Sequence, residues 1–295
     1  MAEDDAGAGR AARRGHPFRD SPEDVEVARH IADTAQTRSP AYRLAFADDE
    51  FLMRRELRPV RLQLELLKPE LELDAHGIVS TVVMFGGSRI PAPDQANAAR
   101  TPQMAALADY YEQARRFARI ITERSLAGGG RENVIVTGGG PGVMEAGNLG
   151  AKEAGGRSVG LNIVLPHEQA PNGHVTPELC FNFHYFAIRK MHFLMRAAAV
   201  VVFPGGFGTL DELFECLTLI QTQRMKPVPV LLFGEEYWRR VIDWEALEAS
   251  GTIDPGDLAL FRFVGTAAEA VAEIESWNGQ GGASPPPRPS DGRDL

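Results

Sequence analysis

Two hydrophobic rhythms alternate along this chain. Solid apolar runs, Thr81-Val82-Val83-Met84-Phe85 and Ala197-Ala198-Ala199-Val200-Val201-Val202-Phe203, read as strands buried on both faces. Shorter runs at 133–137, 157–165, 179–186, 228–233 and 261–264 predict further strands. Between them lie segments with helical spacing at 101–126, from the 138–142 glycines to about Ala154, at 187–196, after 208, at 235–249 and at 267–277. Alternating strands and helices predict an α/β fold, a Rossmann-like, doubly wound and mostly parallel sheet with helices on both faces.

Upstream, residues 20–76 read as a helical extension. Ser21-Pro22 opens a helix with Val25, Ala28, Ile31, Ala32 and Ala35 on one face. A second helix is expected from Asp49 to Leu57, ending near Pro59, and a third carries Val60, Leu62, Leu64, Leu66 and Leu67. Residues 1–19 and the Pro/Gly-rich stretch 279–295 are expected to be disordered, which leaves 77–278 as the α/β domain.

Composition removes several function classes. A net charge of −9 argues against a general nucleic-acid binder, while a local glycine cradle still suits a small anion. Cys180 and Cys216 form no metal spacing, and the seven histidines form no H-E-x-x-H, so no metal is expected. No apolar run approaches the roughly 18 residues that span a bilayer. Together with an amino end lacking a basic start and apolar core, this predicts a cytoplasmic protein that binds no membrane.

Three predicted strands end in glycine loops: Gly86-Gly87-Ser88-Arg89, Gly138-Gly139-Gly140-Pro141-Gly142-Val143-Met144 and Pro204-Gly205-Gly206-Phe207-Gly208-Thr209-Leu210-Asp211-Glu212. Glycines allow close backbone approach, and the free N–H groups and dipole of a helix start favour a phosphate. In parallel sheets, loops at the strands' carboxyl ends gather where chain order reverses. Thr209-x-x-Glu212 also matches a capping box, in which threonine caps the helix and glutamate reaches back. The first loop lacks the third glycine of G-x-G-x-x-G, which disfavours an NAD-dependent oxidoreductase, and no P-loop or G-x-S-x-G is present.

Arg189-Lys190, the Pro204–Glu212 run and the Gly138–Met144 loop together resemble the LOG (LONELY GUY) family, long mislabelled as possible lysine decarboxylases. The resemblance spans about residues 77–277, with Phe193 standing where the R-K-x-x-M pattern has Met. It implies an N-glycosidase, a nucleoside 5′-monophosphate phosphoribohydrolase acting on AMP or N6-modified AMP such as isopentenyl-AMP, without a cofactor. Lysine decarboxylation normally uses a pyridoxal cofactor on a Schiff-base lysine, and no lysine here sits in such a motif.

The resemblance makes Arg189 and Glu212 catalytic. Gly205, Gly206, Gly208, Thr209 and Ser88 are expected to hold the phosphate, and Gly87, Arg89, Gly139, Gly140, Met144, Lys190 and Asp211 the ribose and base. Arg189 is expected to keep Glu212 ionised. A homodimer or a dimer-based higher oligomer is expected by the same analogy. The competing class is a non-enzymatic nucleotide or molybdenum-cofactor carrier, which would not need Arg189 in register with Glu212.

Overall fold

The computed structural model describes residues 20–166 and 170–279. The disorder expected for 1–19 and for the tail beyond Gly279 lies outside the described residues, as does His167. Two compact units divide between Gln63 and Leu64.

The first unit holds α1 (Ser21–Arg29), α2 (Asp49–Leu52) and the start of α3 (Arg58–Ala75). Helix α1 ends earlier than its apolar repeat suggests. The Thr37 hydroxyl donates to the Ala32 carbonyl at 2.8 Å, and the Thr34 amide donates to Thr37 Oγ1 at 2.8 Å. These side-chain bonds give the backbone a turn in place of the helical ladder. The expected Asp49–Leu57 helix is likewise broken. Arg61 Nη1 donates to the carbonyls of Leu52 (2.6 Å) and Arg54 (2.7 Å), using acceptors that a continuing helix would need. Pro59 therefore opens α3 instead of closing the helix before it, since a first-turn residue needs no N–H partner.

The second unit is a seven-stranded, all-parallel sheet in the order β4-β3-β2-β1-β5-β6-β7. Its strands are β1 (Thr81–Phe85), β2 (Val134–Thr137), β3 (Ser158–Ile163), β4 (Cys180–Phe183), β5 (Ala197–Val202), β6 (Val230–Phe233) and β7 (Arg262–Val264). Its helices, after the part of α3 from Leu64, are α4 (Pro102–Ala105), α5 (Ala108–Ala127), α6 (Val143–Glu153), α7 (Phe186–Met195), α8 (Phe207–Gln221), α9 (Glu235–Val241), α10 (Trp244–Ala249) and α11 (Ala267–Gly279). The helix expected over 101–126 is two, α4 and α5. The one expected over 235–249 also divides, because Asp243 accepts from the Ala246 amide at 2.9 Å and starts α10 afresh.

Side chains alternate across each strand and fill two cores. Val83, Phe85, Val200 and Val202 face α7 and α8 through Phe193, Leu213 and Cys216. Val82, Met84, Ala199 and Val201 face α5, α6 and α11 through Phe117, Ala146 and Ile274. Both faces are covered, which is why β1 and β5 read as unbroken apolar runs.

Chain order reverses between β1 and β5. From β1 the sheet grows one way through β2, β3 and β4 and the other way through β5, β6 and β7. The three glycine loops follow β2, β1 and β5, three adjacent strands, so they share one edge at this switch point.

Helix α6 lies against α5 with no side chain between them at Gly150. A Cβ at that position would collide with the Arg115 carbonyl and sit 3.0 Å from the Arg119 amide. Gly150→Ala is expected to destabilise the fold by about 1–3 kcal/mol, the range for overpacking a close backbone contact. Chemical denaturation showing no loss of stability would contradict that packing.

Candidate active site

Backbone bonds tie the loops together. The Gly87 amide donates to the Pro204 carbonyl at 2.9 Å, and the Val143 amide donates to the Gly87 carbonyl at 3.3 Å. Gly142 adopts φ +70°, and any Cβ there would strike the Gly87 carbonyl. Gly139 adopts φ +72°, with Asn162 filling the space a side chain would need. These glycines are required by close approach of the chain to itself.

The third loop starts α8 differently from the capping-box reading. Gly206 is the N-cap, so Thr209 lies inside the first turn. Its buried side chain packs where a Cβ on Gly205 would fall. Gly206 and Gly208 instead face open space. Glu212, freed from capping, sits in the second turn.

There it meets Arg189. Nη1 of Arg189 is 3.5 Å from Glu212 Oε1, and the two side chains are only 10 and 15% exposed. Arg189 Nε donates to the Leu161 carbonyl at 2.7 Å. Its guanidinium lies 5.0 Å from the centre of the Phe193 ring, which packs edge-on against Phe85. Phe193, the departure from the family pattern, is thus a platform beneath the cation. Gly138 leaves room on the other side, since a Cβ there would come 2.6 Å from Arg189 Nη2 and 2.7 Å from Met144 Sδ.

Glu212 is not held fully ionised. Burial pushes its carboxyl up from 4.5 to about 7; Arg189 and Lys190 pull it down, Asp211 and Glu215 push it up, and burial wins. Lys190 and Asp211, expected against ribose or base, engage each other. Lys190 Nζ is 2.9 Å from Asp211 Oδ2 and 2.9 Å from Glu215 Oε2. Burial works against the lysine's charge, but these hydrogen bonds outweigh it and raise its pKa. Ser88 and Arg89 are exposed at the end of β1. Among the described residues, no group of three or more His, Cys, Asp or Glu side chains is placed to hold a metal, and no helix is long and apolar enough to cross a membrane.

Sequence reasoning missed two supports of the loops. Asn172 Nδ2 donates to the carbonyls of Gly139 (3.1 Å) and Gly140 (2.9 Å) and to Asn148 Oδ1 (2.9 Å). Asn148 in turn accepts from Thr137 at 2.8 Å and donates to Ser158 at 3.0 Å. The Tyr237 hydroxyl donates to the Gly205 carbonyl at 2.6 Å. In a trans peptide the N–H points opposite the carbonyl, so this bond directs the Gly206 N–H away from α9. Tyr237 follows the Gly234 turn after β6, a strand-end glycine visible in sequence, but its partner is not.

Residues 144–274 match the family model described as possible lysine decarboxylase. The match begins at Met144, the last residue of the second glycine loop, and includes Arg189, Lys190 and the whole Pro204–Glu212 run. No curated protein is similar enough to the chain to count as a match. Among solved structures, TM1055, a structural-genomics target, is 23% identical over 67% of this chain and 99% of its own, with a TM-score of 0.45. The molybdenum cofactor binding protein of Rippkaea orientalis is 20% identical over 67% of this chain and 96% of its own, and the Moco carrier protein of Chlamydomonas reinhardtii 19% over 68% and 98%, both at a TM-score of 0.45. At that level the likeness carries no argument about function, and the resemblance to the LOG family rests on the family model over 144–274 and on the motifs.

Below pH 4.5 Glu212 is protonated whether the chain is folded or unfolded, so its burial costs nothing. Between 4.5 and about 7 only the folded form keeps the proton, and stability falls as pH rises. Above 7 the penalty is complete, at most about 3 kcal/mol for a shift of this size. Glu212→Gln should therefore melt higher than the parent at pH 8 and equal to it near pH 4.5; a difference independent of pH would contradict the burial of this charge. Tyr237→Phe should leave the fold intact and weaken binding of ribose 5-phosphate about 5-fold or more, the value of one lost hydrogen bond. Unchanged affinity by calorimetry would show that the hydroxyl does not set the loop.

Proposed function

We propose that this protein hydrolyses the N-glycosidic bond of a purine nucleoside 5′-monophosphate, AMP or an N6-modified AMP such as isopentenyl-AMP, giving free base and ribose 5-phosphate. The observation that carries the reading is the Arg189–Glu212 pair, buried at the switch point beside an open glycine cradle on a helix N-terminus. A carrier needs the cradle; it does not need a carboxylate tuned to about pH 7.

The cradle of Gly205, Gly206, Gly208 and Thr209 takes the 5′-phosphate, through backbone N–H groups and the α8 dipole. Arg89 and Ser88, exposed at the neighbouring strand end, add charge and a hydroxyl at its mouth. Ribose then lies toward Glu212. As the C1′–N9 bond breaks, its electron pair leaves with the purine and positive charge builds on the ribosyl ring. The Glu212 carboxylate stabilises that charge and accepts a proton from the attacking water, whose oxygen bonds C1′. The departing purine takes up a proton from solvent. Arg189 keeps Glu212 oriented and close enough to ionisation to work near neutral pH. Met144 and Gly138 shape the wall beside the guanidinium. A cytoplasmic, oligomeric nucleotide enzyme is consistent with this chemistry.

Purified protein incubated with AMP or isopentenyl-AMP should release free base, followed by chromatography. Turnover should rise with pH through about 7, because the ionised carboxylate is the working form. Glu212→Gln should lose on the order of 10²–10³ in rate with the fold intact. Nucleotide binding without base release would overturn this reading in favour of a carrier, and near-normal turnover by Glu212→Gln would remove Glu212 from the chemistry.

A further inference from the structure

Helix α7 carries Arg189 and Lys190, yet what fixes it comes from α3, a helix that supplies nothing to the cradle. The Glu65 carboxylate accepts the His184 amide on one oxygen at 2.8 Å and the Tyr185 amide on the other at 3.1 Å. Tyr185 is the N-cap of α7 and makes no side-chain cap of its own. Glu65 therefore does the capping from another helix, satisfying two amides at the positive end of the α7 dipole.

The backbone of Glu65 takes a second hold. Pro69 stands four residues on, inside α3, and has no N–H to offer the Glu65 carbonyl. His192 of α7 occupies that position, with Nε2 3.2 Å from the Glu65 oxygen. A carbonyl only accepts, so Nε2 carries the proton. Burial lowers the pKa of His192, which favours this neutral form. At the other end of α7, Arg196 lies 3.1 Å from Glu70 and 2.8 Å from Asp74, and Nη1 donates to the Ile78 carbonyl.

We infer that Glu65 is a positioning residue for catalysis: by gripping both the first turn of α7 and His192, it sets the place of Arg189 against Glu212. This rests on the proposed hydrolase reading for its kinetic consequence, though not for its structural one. The proline explains why the grip is specific to this turn of α3. An ordinary residue at 69 would also bond the Glu65 carbonyl within the helix, and His192 would have to share that oxygen.

The groups facing Glu212 are Arg189 and Lys190 from α7 and Asp211 and Glu215 from its own helix. The cations that oppose its protonation thus both ride on α7. If α7 loosens, both their pull and the burial of Glu212 change, and its titration midpoint should move from the parent's. A merely structural role for Glu65 would not move that midpoint.

The experiment follows the Glu212 carboxyl by carbon-13 NMR titration, with turnover of AMP measured alongside, in the full chain and in Glu65→Ala, Glu65→Gln and Leu73→Ala. Leu73 is a buried core residue of the same helix, so its truncation lowers stability without touching the grip. Glu65→Ala should move the Glu212 midpoint away from the parent's and lower kcat roughly 10-fold or more, with KM for AMP changed far less, as expected when a reacting group is misplaced. Glu65→Gln, isosteric and keeping one acceptor oxygen, should fall between the parent and the alanine variant; it carries the test if Glu65→Ala fails to fold. Leu73→Ala should melt lower and keep the parent midpoint. A parent midpoint in both Glu65 variants, or an equal shift in Leu73→Ala, would overturn the inference. Failure of the parent to cleave AMP would sink the hydrolase reading alone, since the titration would still report whether Glu65 holds Arg189 in place.

Discussion

The pairing of β1 with β5 is the constraint on which the rest of the site depends. These strands are far apart in sequence but adjacent at the centre of the sheet, and their residues pair from Thr81 with Ala197 to Phe85 with Val202. Beyond the last pair the ladder continues into the loops, where the Gly87 amide bonds the Pro204 carbonyl. That bond fixes how the third loop leaves its strand, and so where α8 begins. With α8 in place, Glu212 falls one turn in, where α7 arrives with Arg189. A bulky residue at Gly87 would push on the Pro204 carbonyl, already 3.1 Å from where a Cβ would sit. Backbone geometry at the switch point is thus upstream of the electrostatics.

Those electrostatics are a balance held deliberately off centre. A carboxylate in water would be ionised at neutral pH, and one buried alone would be protonated. Burial and the neighbouring Asp211 push Glu212 one way, Arg189 and Lys190 push it the other, and the outcome lies near 7. The guanidinium can do this because its own place is fixed three times, by the Leu161 carbonyl, by the Phe193 face and by the space that Gly138 leaves open. Lys190 cannot approach Glu212 as Arg189 does, being engaged by Asp211 and Glu215. The five charges sort into a buried pair, Arg189 with Glu212, and an outer cluster of Lys190, Asp211 and Glu215 that joins α7 to α8.

Much of the fold was legible because it rests on local rules. Buried parallel strands read as apolar runs, and the loops after β1, β2 and β5 declared themselves by glycines that have no role inside an element. The Arg189–Glu212 pair was legible only through its motifs. What sequence concealed was set by partners distant along the chain. Thr209 and Glu212 have the spacing of a capping box, but the cap moved to Gly206 because Thr209 is needed inside, against Gly205. Lys190 and Asp211 are drawn together by a packing of α7 on α8 that no local pattern encodes. Tyr237, Asn172 and Glu65 act on carbonyls and amides, which leave no signature in side-chain type.

Those three residues share a logic. Each places one side chain on the backbone of a segment that carries site residues, and each comes from an element that contributes nothing else to the site. Tyr237 holds the peptide after β5, Asn172 the two carbonyls after β2, and Glu65 the amides that open α7. Glycine-rich backbone is free to approach a ligand only because it is also free to move away, and such freedom costs preorganisation. Side chains from outside the glycine loops restore what the glycines give up. On this view the helical segment before β1 is part of the site in its effect, because the turn of α3 at Glu65 and Pro69 is where α7, and with it the guanidinium, takes its position.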